Sequence, residues 1–103
     1  MRVLKMDRKR ELRKIASRCA EFLGDKYKVK RVILIGSLVS GKVHEKSDID
    51  LVVEGLPAEI YIKSLTELYD LLPAGVDISL IPFEDAFETL RQKALQRGEV
   101  IYG

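Results

Sequence analysis

Arg31-Val32-Ile33-Leu34-Ile35-Gly36-Ser37 is a short β-branched apolar run stopped by glycine, the pattern of a buried strand that ends in a turn. Ten residues separate Ser37 from Asp48-Ile49-Asp50-Leu51-Val52-Val53, which reads as a second strand. Side chains alternate faces along a strand, so Asp48 and Asp50 project together while Ile49, Leu51 and Val53 point the other way. Val76-Asp77-Ile78-Ser79-Leu80 reads as a third strand, with Asp77 opposite its apolar face. If these strands pair, three carboxylates meet.

Carboxylates held close together raise one another's pKa unless a cation neutralises them. Their hard oxygens suit Mg²⁺ or Mn²⁺. Magnesium keeps several waters and completes its shell with substrate phosphates, so an open acidic cluster beside a phosphate-binding turn fits a nucleoside triphosphate. Gly36 lets a phosphate approach the backbone, and the amides and hydroxyl at Ser37 can donate to it. Lys42 or Lys46 could add positive charge. Two ions roughly 4 Å apart would then serve the attacking oxygen and the leaving pyrophosphate. Taken singly, each element has a plainer reading: Gly-Ser as a turn, Asp-x-Asp as a solvated strand face, Asp77 as an exposed strand residue. The order and strand context of all three together favour nucleotidyl transfer.

Gly36-Ser37, the ten-residue gap, Asp48-Ile49-Asp50 and Asp77 between apolar neighbours resemble the minimal nucleotidyltransferases of the DNA-polymerase-β superfamily over nearly the whole chain. Within it they look most like the MntA-like antitoxins of HEPN toxin modules. The resemblance implies a palm-like α/β (α+β) fold, a small mixed sheet of three to four strands covered by helices on one face. It also implies Mg²⁺-dependent transfer of AMP from ATP to a hydroxyl of a HEPN ribonuclease toxin. Asp48 and Asp50 would bind both metals, Asp77 would bind the catalytic metal and help activate the acceptor, and Gly36 and Ser37 would hold the triphosphate. The chain departs from the pattern at Leu38-Val39-Ser40-Gly41, where many relatives carry an arginine. Two alternatives stand beside this reading: an antitoxin that neutralises its partner by contact alone, and a transferase acting on a small molecule.

At 103 residues the chain is expected to form one domain over 1–103, with no room for a separate acceptor-binding domain. The acceptor must then be gripped by another chain, and a homodimer could build a pocket between subunits. A net charge of +2 does not favour general nucleic-acid binding. The single Cys19 rules out an internal disulfide, a single His44 excludes a histidine-cluster metal site, and no apolar window approaches membrane-spanning length. With no secretory pattern in the charged N-terminal segment, a cytoplasmic location is expected.

Around the strands, helical spacing of Leu12, Ile15, Ala16, Cys19, Phe22 and Leu23 predicts a first helix over about 7–23, capped by Gly24. Pro57 opens a second, with Tyr61, Leu65, Leu68 and Leu72 on one face before Pro73 and Gly75. A third is expected over about 83–97, with Phe83, Phe87, Leu90 and Ala94 in one stripe, and Val100-Ile101-Tyr102 reads as an edge strand. The acidic sheet face must stay open. Cys19, on an apolar stripe, reads as a core residue. The basic run that includes Arg8, Lys9, Arg10, Arg13, Lys14 and Arg18 could dock an acidic partner or RNA, although such runs more often form a solvated helix face.

Overall fold

Four strands, β1 (Arg31–Ile35), β2 (Asp48–Glu54), β3 (Asp77–Pro82) and β4 (Glu99–Tyr102), form one sheet in the order β3-β2-β1-β4. The structure is a computed structural model and describes residues 5–40 and 48–103. Strand β1 runs antiparallel to β2 and β4, and β2 runs parallel to β3. A parallel pair requires a crossover. Helix α3 (Tyr61–Leu71), entered through a 3-10 turn at Ala58–Ile60, supplies it. The remaining helices are α1 (Lys5–Tyr27), the single turn α2 (Ser37–Ser40) and α4 (Glu88–Arg97). The expected α/β architecture with a mixed sheet is borne out, and β4 is the expected edge strand.

The period of two in the strands divides the apolar residues between two clusters. Val32 and Leu34 of β1, with Ile49, Leu51 and Val53 of β2, pack against α1 and α3, where Leu12, Cys19 and Leu68 are fully buried. Ile33, Ile35 and Val52 point to the other face and are covered by Ala94 of α4, with Ile81, Phe83 and Leu90 at the margin. The sequence reading puts helices on one face and leaves the acidic face open. In the structure α1 and α3 occupy the first face, but α4 covers the apolar part of the second. The reason is in β1, whose second face is also apolar and cannot be left to water.

Two helix boundaries differ from expectation. Gly24 does not end α1, which continues to Tyr27 and stops where Lys28, at φ 56°, accepts the left-handed conformation and donates its N–H to the Gly24 carbonyl at 3.1 Å. Gly24 is needed for space: a Cβ there would overlap the Tyr102 ring. The predicted third helix begins late. Phe83–Asp85 is a 3-10 turn, Ala86 and Phe87 are extended, and Phe87 lies 84% exposed ahead of α4, off the apolar stripe. Tertiary contacts hold that turn out of the helix. The guanidinium groups of Arg31 and Arg91 lie over the Phe83 ring, at 5.7 and 6.0 Å, and Glu84 accepts the Gly55 N–H at 2.9 Å.

Among the described residues no helix is long and apolar enough to cross a membrane. Cys19 is buried in the larger cluster, where loss of solvation pushes its thiol up to about 11, so it packs and does not react.

Candidate functional site

The antiparallel register of β1 and β2 pairs Ile35 with Asp50. Gly36, the next residue, therefore leaves the sheet directly over the Asp50 carboxylate. Its φ of 82° is left-handed, and a Cβ there would overlap Asp50 Oδ2. Glycine is required on both counts. The chain then turns at once into α2, whose Val39 and Ser40 N–H groups donate to the Gly36 carbonyl at 3.1 and 3.0 Å.

The parallel register of β2 and β3 sets Asp48 beside Asp77 and Asp50 beside Ser79. These side chains share one sheet face, at the end where β1 leaves and β2 and β3 enter. Asp48 and Asp77 are exposed, whereas Asp50 is half-buried. Burial is the main cause that raises the Asp50 carboxyl above the ordinary aspartate range; the neighbouring Ser79 hydroxyl pulls it down, the Asp48 charge raises it, and the Lys93 charge lowers it. The predicted residues thus come to one corner of the sheet. They do not close into a ready-made cage, since among the described residues no three acidic, imidazole or thiol side chains group closely enough to hold an ion.

That donor set fits a divalent cation of the magnesium class. Such an ion takes few protein carboxylates and leaves the rest of its shell to water and phosphate. Asp48 and Asp50 supply two carboxylates on one face, and a cation between them would relieve both the mutual repulsion and the burial that hold Asp50 high.

Sequence reasoning missed two cations. Gly98, extended at φ −77°, lies so close to β1 that a Cβ would overlap Ile33 and the Ala94 carbonyl, which seats the last turn of α4 against the sheet. Lys93 and Arg97 are thereby brought to a cleft of about 540 Å³ whose other walls include Ile35, Gly36, Ser37 and Ser40. Their spacing of four was legible as one helix face, but nothing local says which strand end that helix meets. Lys42, His44 and Lys46 lie outside the described residues. A depression of about 590 Å³ on α1, among Lys9, Arg10, Arg13, Lys14, Ser17 and Arg18, contains no carboxylate among the described residues. Arg13 there is committed to the fold, paired with Glu99 and donating to the Leu38 carbonyl at 3.3 Å.

Residues 17–103 match the family model described as polymerase beta, nucleotidyltransferase. A Methanocaldococcus jannaschii protein named as a candidate protein adenylyltransferase, MJ0128, is 36% identical over 73 residues, covering 69% of this chain and 74% of that protein. Among solved structures, a minimal nucleotidyltransferase superposes with a TM-score of 0.66 at 25% identity, over 85% of this chain and 91% of the other. A toxin–antitoxin crystal structure with AMP-PNP superposes with a TM-score of 0.70 over 84% of this chain and 73% of the other, and at 24% identity that likeness concerns the fold.

Proposed function

The chain belongs to the polymerase-β nucleotidyltransferase family, and from that premise we propose that it transfers a nucleoside monophosphate, AMP from ATP, to a hydroxyl of a partner protein. The partner in this proposal is a HEPN-type toxin met in the cytoplasm, and the transfer makes this chain its antitoxin. The observation that carries the reading is the apposition of the Gly36-Ser37 turn and the Asp50 carboxylate, with Asp48 on the same strand face and Asp77 beside it in register. The protein adenylyltransferase name of a relative and the toxin–antitoxin assembly of a structural neighbour support the choice of acceptor.

In this mechanism Asp48 and Asp50 would hold Mg²⁺, with Asp77 completing the acidic corner. The bound metal would supply charge neutralisation at the α-phosphate and make the acceptor hydroxyl a better nucleophile. Gly36 contributes the absence of a side chain, so that phosphate reaches the backbone, and Ser37 contributes its hydroxyl. Ser79, beside Asp50 in register, helps keep that carboxylate ionised despite burial. The acceptor hydroxyl passes its proton to solvent through Asp77, its oxygen attacks the α-phosphorus, the bond to the bridging oxygen breaks, and pyrophosphate leaves with that electron pair.

The test is incubation of the chain with α-phosphate-labelled ATP and Mg²⁺, with and without the protein encoded beside it. Label should appear on the partner, and Asp50→Asn should reduce the rate roughly 100-fold or more while the fold is retained. If the variant still neutralises its partner and the wild type transfers no label, neutralisation works by contact alone and the transfer reading is lost. Label on small acceptors without any partner would move the acceptor to a small molecule.

A further inference from the structure

We infer that Lys93 and Arg97 of α4 grip the polyphosphate of the bound nucleotide, supplying from the last helix a positive charge that Ser37–Ser40 does not carry. The inference rests on the nucleotidyltransferase reading of the site and assigns its phosphate-binding cations. Its first support is what α2 does not contain: Ser37–Ser40 carries no basic residue. The cleft beside it nevertheless has two cations, both exposed, both on one face of α4, and neither in an ion pair among the described residues. Charged α4 neighbours behave differently, since Arg91 is tied to Glu88 at 2.9 Å and stacked on Phe83.

The cleft has the right chemistry for a polyanion. Among the described residues its lining includes no carboxylate, and Ser37 and Ser40 line it together with the two cations. One wall is Gly36, which lies over Asp50, so the cleft continues directly from the acidic corner. Lys93 lines this cleft together with Gly36, so α4 presents its charge next to the acidic corner. A phosphate at the acidic corner leaves the following phosphates facing α4. The two side chains contribute differently: the Arg97 fork can hold two oxygens at once, and Lys93 acts as a mobile point charge.

The experiment is calorimetric titration of the full chain in Mg²⁺ buffer with AMP-PNP, with inorganic tripolyphosphate and with AMP. Wild type is compared with Lys93→Ala, Arg97→Ala and Arg97→Lys. Each alanine variant should weaken AMP-PNP and tripolyphosphate about tenfold, leave AMP affinity unchanged and keep the wild-type circular dichroism spectrum. Arg97→Lys should recover part of the loss. Alanine variants that bind AMP-PNP as tightly as wild type would overturn the assignment and leave the nucleotidyltransferase reading standing. An equal loss for AMP and AMP-PNP would also overturn it, by showing a structural role. A wild type that binds none of the three ligands would remove the proposed function as well.

Discussion

Asp50 is the residue on which the site turns, because three requirements converge there. Its register with Ile35 brings it under Gly36, its face is shared with Asp48, and half-burial raises its carboxyl. A carboxyl that holds its proton more tightly folded than unfolded gives the folded state the extra proton over the interval between the two pKa values. Stability therefore falls as pH rises from the unfolded aspartate value, about 4, through the raised folded one. Asn carries no such charge. In EDTA, Asp50→Asn should melt above the wild type at pH 7, with the gap closing below about pH 4. Mg²⁺ should raise the melting temperature of the wild type and leave that of the variant unchanged, since only an intact site binds the ion to the native state. A wild type whose melting is the same in Mg²⁺ and EDTA would argue against Asp50 as a ligand. This corner was readable from sequence because a strand has a strict period of two, so Asp48 and Asp50 had to share a face once Ile49, Leu51 and Val53 were assigned to the core.

Elements were legible where local pattern and tertiary demand agreed. The β1 run and the Tyr61, Leu65 and Leu68 stripe of α3 are such cases, and their positions followed from periodicity. Gly24 and Phe87 show the opposite. Glycine after an apolar helical stripe commonly signals a cap, yet here it makes room for an aromatic ring that arrives from β4, at the far end of the chain. Phe87 looked like a continuation of a stripe, but the packing of Phe83 and the Glu84 bond to Gly55 fix the backbone before α4 starts. Neither fact is local. Gly24→Ala forces a methyl into the Tyr102 ring and should cost about 1–3 kcal/mol, as overpacking does. In a Tyr102→Ala background the same change should be neutral or stabilising by up to about 1 kcal/mol, the helix preference of alanine over glycine. Chemical denaturation of the four variants gives the coupling directly. Additive effects would mean that the ring and the glycine do not constrain each other.

At the scale of the whole molecule, the sheet separates a large cluster under α1 and α3 from a small one under α4, and the two have different work. The large cluster contains most of the buried apolar side chains and sets the strands in register. The small one, Ile33, Ile35, Val52 and Ala94, holds the helix that delivers Lys93 and Arg97. Ala94, with 1% of its surface exposed, is the contact that α4 makes at the centre of this cluster. Strand β4 follows α4 in sequence but has its own anchors, namely pairing with β1, the Arg13–Glu99 ion pair and the Tyr102 ring over Gly24. An undocked α4 therefore need not release β4. Ala94→Asp places an unpaired charge against apolar strands and should lift α4 from the sheet. Hydrogen exchange should show protection lost in α4 and kept in β1, β2 and α1, because local stability follows local burial. AMP-PNP affinity should fall at least as far as in Arg97→Ala, since both cations leave the cleft together. Protection lost in α4 with AMP-PNP affinity intact would separate this helix from the nucleotide site, whereas uniform loss across all elements would show that the two clusters unfold as one unit.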